Sequence, residues 1–519
     1  MRIGIGWFIF LLGGAGLLLA CGDDDSEPMG VDASVDVAAE GSPPINCTEA
    51  PIVTPGMEAP REPGIDPTPI DMARAFEAGE VDPATLPEDG AVFPLGIQAG
   101  EMTDSTVLLW TNVTATTNLS VQVFRDDPTI GRALVADEAV TPVEGYVHAE
   151  VTGLAPATWY EYAFVAGDGA MPTARSAIGR FRTAPAPDMA LKLRLGATTC
   201  TGTAGEDRPT FSPFPALSFL SNMDIDLLLH LGDISYNDNE RTQAEYRAEW
   251  ATTLSEPGYR DLLSTAGWYM TWDDHEVDNN WDAEMFDTAR RDIAINAFYE
   301  NLAIRPGPEG QLWRTHRWGQ TAEFFVMDLR SERQPSTLGS GAEVFVSREQ
   351  LDFVKAQLMA STAHFKVVLS SVNITGLNDI WDANISFEDR WEGFGAQREE
   401  LLSFIQDNNL RNVWFLAGDI HLGFVARLEP EGERYSHMWE ITVGPGGSSE
   451  NPLGSLRENG LDVADGSFQC DMFVFDHGRP RMATVLEFDP IADTVRIIFQ
   501  DPMSQEVLYD ETLQQEMPF

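Results

Sequence analysis

Ile225-Asp226-Leu227-Leu228-Leu229-His230-Leu231-Gly232-Asp233-Ile234-Ser235-Tyr236 is an apolar run that closes on Gly-Asp and, three residues later, Tyr. A short apolar run bounded by a turn signal is the pattern of a strand buried on both faces, as in the sheets of α/β proteins. Two further segments repeat the theme, Trp272-Asp273-Asp274-His275-Glu276 and Val413-Trp414-Phe415-Leu416-Ala417-Gly418-Asp419-Ile420-His421. In an α/β fold, ligands gather outside the carboxyl ends of the strands. Three such ends can meet around one site and supply hard oxygen and imidazole ligands, which is the pattern of a metal-dependent hydrolase.

The surrounding chain fits an α/β layout. Strands are expected at Arg194-Leu195-Gly196-Ala197-Thr198-Thr199-Cys200, at Glu323–Asp328 and at Phe365–Ser371. Helices are expected at Phe214–Asn222, Ala244–Leu254, Asp287–Leu302, Arg348–Ser361 and Ala396–Asn408, and elements alternating in this way define the class. Met482–Phe488 and Thr494–Phe499 read as a closing β-hairpin. These elements make residues 191–519 the catalytic domain. Before it, residues 91–186 carry short alternating strands with turn residues between them, the signature of a β-sandwich. The run Leu154-Ala155-Pro156-Ala157-Thr158-Trp159-Tyr160-Glu161-Tyr162 resembles the tyrosine-corner region of fibronectin type III modules, and Trp110 reads as core.

The chain has 519 residues, 33 basic against 82 acidic, for a net charge of −49. That excludes general affinity for nucleic acid backbones, which need basic surface, and electrostatic adhesion to anionic lipid heads. Residues 1–20, with Arg2, an apolar run and Leu18-Leu19-Ala20-Cys21, read as a lipoprotein signal peptide with Cys21 as the lipidation site. The expected location is the bacterial cell envelope, with the membrane reached through the lipid anchor. Residues 21–90, acidic and rich in Pro, Ala and Gly, read as a disordered tether, interrupted by a short helix near Asp71–Ala78. Cys47 and Cys470 could pair in an oxidising envelope.

Singly, each motif is weak. Gly-Asp after a strand is often a turn, a lone Cys200 is often a small core residue, and His230 reads as a buried structural histidine. Together, Cys200, Asp233 with Tyr236, Asp273-Asp274-His275-Glu276, and Asp419 with His421 occur in order, each at a strand end. This arrangement resembles the alkaline phosphatase D (PhoD-like) family of metallophosphoesterases. Phe93-Pro94-Leu95-Gly96-Ile97-Gln98-Ala99-Gly100, Trp272–Trp281, Asp328-Leu329-Arg330-Ser331-Glu332-Arg333 and Trp391-Glu392-Gly393-Phe394 carry the likeness further.

The resemblance implies a four-layer αββα metallophosphoesterase fold, calcineurin-like or purple acid phosphatase-like, behind a fibronectin III-like sandwich. It implies Asp233 as a bridge between two metals, Tyr236, Cys200 and His421 as ligands to Fe3+, and Asp274 and Asp419 as ligands to Ca2+. Whether Asp273 or Asp274 is the ligand stays open. His275 is the implied acid beside the scissile oxygen. Arg330, Arg333 and Asn280 are candidates for contacts to phosphate or to ligands. Thiolate and phenolate suit a ferric ion and Asp oxygens suit calcium. The chain departs from the family pattern at Ser370-Ser371-Val372-Asn373, which lacks a ligand His, and at Thr198-Thr199-Cys200-Thr201-Gly202. The expected activity is hydrolysis of phosphate esters. Alternatives are a phospholipase D-like action on lipid head groups, or a non-catalytic binding lipoprotein.

Overall fold

The structure, a computed structural model, describes residues 71–114, 118–167, 171–202, 214–376, 387–429, 432–447, 473–474 and 481–515. The expected signal peptide, Cys21, Cys47 and Cys470 lie outside the described residues.

The amino-terminal region contributes β1 (Ile97–Gly100), β2 (Thr106–Asn112), β3 (Asn118–Asp127), β4 (Gly131–Ala139), β5 (Tyr146–Thr152), β6 (Trp159–Gly167), β7 (Ala174–Arg175) and β8 (Gly179–Arg182). The next stretch holds β9 (Leu193–Thr198), α1 (Pro215–Leu220), β10 (Leu227–Leu231), α2 (Gln243–Ser255), α3 (Pro257–Leu263), β11 (Trp268–Thr271) and α4 (Thr288–Asn301). Then come β12 (Arg314–Trp318), β13 (Ala322–Val326), α5 (Arg348–Ala360), β14 (Phe365–Leu369), α6 (Gly395–Asp407) and β15 (Val413–Ala417). The chain closes with β16 (Gly423–Arg427), β17 (Trp439–Thr442), β18 (Phe473–Val474), β19 (Ala483–Asp489), β20 (Thr494–Gln500) and β21 (Val507–Leu513).

Two sheets build the catalytic part. The first runs β21-β20-β19-β9-β10-β11-β1-β2-β5 and the second β12-β13-β14-β15-β17-β16-β18. Strands β9, β10 and β11 are parallel, as are β13, β14, β15 and β17. Side chains alternate across a strand, and each sheet uses both faces. Leu227, Leu229 and Leu231 of β10 join Phe324 and Val326 of β13 and Trp414 and Leu416 of β15 in the core between the sheets. Leu228 faces the other way, with Trp250, Leu254 and Phe298 of the helices outside the first sheet. Phe325, Val413 and Phe415 meet Leu351, Val354, Leu401 and Ile405 of α5 and α6 outside the second. The result is four layers, helix-sheet-sheet-helix. All five expected helices are present within one or two residues of their expected ends, and α3 and β21 were not expected.

The amino-terminal sandwich shares its architecture with the catalytic part. One of its sheets is β4-β3-β6-β7, with β8 on β6; the other is β1-β2-β5, which continues the nine-stranded sheet. Strand β1 joins β11 in parallel, with Gly100 opposite Trp268. Trp110 is fully buried on the helical side and its Nε1 donates to the Glu300 carbonyl of α4 at 2.8 Å. Arg182 of β8 pairs with Asp226, just before β10, at 2.9 Å.

The expected tether is ordered from Asp71 onward, and no helix forms at 71–78. The Asp71 carboxylate accepts from Arg125 at 3.0 Å and from the Tyr160 hydroxyl at 2.5 Å, and Tyr160 itself accepts from the Ala155 amide. The tyrosine corner is thus the anchor for an incoming strap. Arg74 bridges Leu134, and Glu88 pairs with Arg175. These pairs fix an acidic, apolar-poor segment that could not order itself.

Candidate metal centre

Every strand end named in the sequence points to one place. Cys200 follows β9, Asp233 follows β10, Asp273 to Glu276 follow β11, and Asp419 and His421 follow β15. One ligand atom from each of Cys200, Asp233 and His421 lies within 4.8 Å of the others. The same holds for Asp233, Asp274 and His275, and for Asp273, Asp274 and Asp419. The groups overlap at Asp233 and Asp274, so the three adjoin in one cluster with room for more than one ion.

Backbone strain helps aim these side chains. Cys200, Asp233, Asp419 and His421 have φ of 49°, 57°, 67° and 56°. Non-glycine residues seldom adopt this left-handed region, and where they do they cluster at functional sites. The glycine of the Gly232-Asp233 pair has its own reason. Its φ is 102°, and a Cβ there would sit 2.6 Å from the Asp273 Cβ and 2.7 Å from the Asp273 nitrogen. Only glycine lets the β10 and β11 loops touch.

Glu276 clasps those loops together. Its buried carboxylate accepts from the amides of Asp233 (3.2 Å), Ile234 (2.5 Å) and Asp273 (2.9 Å). Burial pushes this carboxyl up to about 7, against the pull of those amides. His275 lies beside Asp233 and Asp274 and stacks on Tyr236, with ring centroids 3.8 Å apart at 20°. Its Nδ1 faces both oxygens of Asp238 at 2.9 Å, and Asp238 also accepts from the Asn279 amide. Burial opposes protonation of His275, but Asp274, Asp233 and the Asp238 hydrogen bond outweigh it and push the imidazole up to about 10. Neither Asp238 nor Glu276 was given a role from sequence. The signal for Asp238 was only its place two residues after Tyr236, in a polar run.

Arg330 and Arg333 are fully buried against acids rather than open to a substrate. Arg330 grips Asp273 through Nε and Nη2 at 2.6 and 3.0 Å and Asp389 through Nη1 at 2.9 Å. Arg333 pairs with the same Asp389 at 2.9 Å and donates to the Trp281 carbonyl. The Asn280 side chain is exposed, while its amide donates to Asp274 at 2.5 Å. At the position without a ligand His, Asn373 donates to Thr442.

The donor set fits a pair of cations. Buried carboxylates crowd beyond what one arginine neutralises. Burial, then Asp274 and Asp273, raises Asp233 far above the usual carboxylate range despite His275, and burial with Asp273 does the same to Asp419. Burial and Asp233 likewise push the Cys200 thiol up. Cations in the cluster would remove this cost by holding the charged forms. A thiol and an imidazole beside Asp233 at one position, and the three carboxylates of Asp273, Asp274 and Asp419 at another, suit two ions of different hardness.

Four layers with a polynuclear acid site at the strand ends define a metallophosphoesterase-like α/β domain, here preceded by an antiparallel β-sheet domain. Family models agree. Residues 195–465 match the model of the PhoD-like phosphatase and residues 80–185 that of its amino-terminal domain, so the chain belongs to the PhoD-like phosphatase family. It is a phosphoric ester hydrolase of the alkaline phosphatase D type. Alkaline phosphatase D of Bacillus subtilis (strain 168) is 26% identical over 401 residues, 66% of this chain and 67% of that protein. The solved structure of PhoD superposes with a TM-score of 0.65 at 24% identity, covering 82% of this chain and 89% of that one. A purple acid phosphatase from yellow lupin (Lupinus luteus) seeds gives 0.60 at 14% identity, covering 82% and 75%. These two show the shared fold.

Proposed function

We propose that the chain is a secreted, lipid-anchored phosphoesterase acting on phosphate mono- and diesters, with Fe3+ held by Cys200, Asp233, Tyr236 and His421 and Ca2+ held by Asp233, Asp274 and Asp419. The observation that carries the reading is the convergence of Cys200, Asp233 and His421 on one point and of Asp273, Asp274 and Asp419 on its neighbour. The anchor rests on Arg2, the apolar run and Leu18-Leu19-Ala20-Cys21. Among the described residues no helix is long and apolar enough to cross a membrane.

Bound cations would supply positive charge for the phosphoryl oxygens and for activation of the attacking water. The chain's own residues do the rest. Asp233, shared by two of the groups, would hold both ions. His275, held by Asp238 at Nδ1 and lying beside Asp233 and Asp274, can give a proton to the leaving alkoxide. Its stack on Tyr236 fixes the ring plane. Arg330 neutralises Asp273 so that the acids can coexist in a buried site. The exposed side chain of Asn280, whose backbone amide donates to Asp274, is the candidate contact to the ester.

The test compares hydrolysis of p-nitrophenyl phosphate, bis-p-nitrophenyl phosphate and phosphatidylcholine by protein loaded with iron and calcium. Turnover of either nitrophenyl ester, abolished by chelation, is expected. Turnover of phosphatidylcholine alone would make the lipid head group the substrate. No turnover of any of the three by metal-loaded protein would leave a binding role.

A further inference from the structure

Asp273 and Asp274 are adjacent, both are buried, and both reach the third ligand group with Asp419. Their surroundings differ. Both oxygens of Asp273 are taken by the Arg330 fork, and Oδ1 also accepts from Ser371 at 2.8 Å. Asp274 has Oδ2 on the Asn280 amide, while Oδ1 lies 3.6 Å from Arg330, beyond a hydrogen bond. Arg330 also reaches Asp419 only weakly, at 3.5 Å. A bidentate arginine pair is among the strongest grips on a carboxylate, and with Ser371 it occupies both lone pairs of Asp273 Oδ1 and one of Oδ2, a heavier demand than the Asn280 amide makes on Asp274.

We infer that Arg330 is a positioning residue that selects the ligands of the second metal: it withholds Asp273 and leaves Asp274 and Asp419 free to bind. The inference rests on the metallophosphoesterase reading above. Arg330 is itself locked from behind by Asp389, which Arg333 shares, so the fork cannot swing away. Lysine could keep the charge but not the two-point grip. The acids of the site thus divide into one set for the protein's permanent cation and one for exchangeable cations.

Ca2+ binding to the iron-loaded full chain tests this by calorimetry, with metal content measured alongside. Asp273→Asn is expected to keep Ca2+ affinity within about threefold of wild type, whereas Asp274→Ala loses about 100-fold, the larger end of effects seen at metal sites. Arg330→Gln releases Asp273 as an added carboxylate ligand, and because Ca2+ affinity follows the ligand charge count it is expected to tighten Ca2+ binding about tenfold. In that background Asp273→Asn should now weaken it again, so the two positions are coupled. General structural damage would weaken binding, not tighten it. Loss of Ca2+ binding in Asp273→Asn alone would overturn the inference, and it can be read even should Arg330→Gln fail to fold. If wild type binds no Ca2+ while holding iron, the two-metal reading itself fails, and the two failures are distinguishable.

Discussion

Replacing Asp238 by Asn should separate proton donation from metal chemistry. The Asp238 carboxylate meets His275 Nδ1 at 2.9 Å through either oxygen, and the imidazole lies among carboxylates that favour its protonated form. A hydrogen bond to a charged group is worth about 1.5–3 kcal/mol, and 1.4 kcal/mol is tenfold in rate, so loss of this charge should lower turnover by about 10–100-fold. The loss should depend on the leaving group. An alkyl or phenyl alcohol needs a proton as it departs; p-nitrophenolate is stable enough to leave with little help. The assay is kcat for phenyl phosphate and p-nitrophenyl phosphate with wild type, Asp238→Asn and His275→Ala, at equal metal content. Both variants should lose far more on phenyl phosphate. Equal losses on the two esters would refute the acid role of His275 and the positioning role of Asp238 together.

Gly232→Ala forces a Cβ to within 2.6 Å of Asp273 at a φ of 102°, so it should destabilise the fold by about 2–4 kcal/mol and reduce metal content; denaturant unfolding and metal analysis check this. Asp71→Ala removes the acceptor of the Tyr160 hydroxyl and of Arg125 Nε while Arg125 keeps Asp127, and should cost about 1–3 kcal/mol and expose residues 71–90 to proteolysis, with turnover of the intact fraction unchanged. Burial pushes His230 and His316 down to about 3 and about 4. The unfolded chain therefore takes up protons first: their contribution to stability is complete above pH of about 6.5 and is lost as pH falls towards those values, at about 1.4 kcal/mol per pH unit for each. His230→Asn should make the acid limb of stability shallower by one proton; an unchanged slope would contradict burial of the neutral form.

The fold was legible where pattern is local. Leu227-Leu228-Leu229 and Val413-Trp414-Phe415 are apolar on both faces because each strand lies between a sheet and a helical layer. The site was legible because its side chains sit at the ends of those strands, with a glycine that the crowding at Asp273 demands. What was not legible depends on partners far along the chain. The strap from Asp71 is held by Arg125 and Tyr160, and nothing in its own acidic sequence predicts order. The sandwich was read as a separate module because its junction with β11 is a single register pair, Gly100 with Trp268. The surroundings of Asp273 and Asp274 differ through Arg330, 57 residues on from Asp273. Asp238 lies in a polar loop and gains its meaning only when the β10 and β11 loops meet.

The central claim is that Asp233 joins two cations that carry the hydrolysis. Its most direct test is metal content and bis-p-nitrophenyl phosphate turnover measured on the same samples of wild type and Asp233→Asn. Two metals per chain in wild type, with both metal content and turnover collapsing in the variant, is the predicted result. Undiminished turnover by Asp233→Asn, or by wild type stripped of metal, would contradict the account.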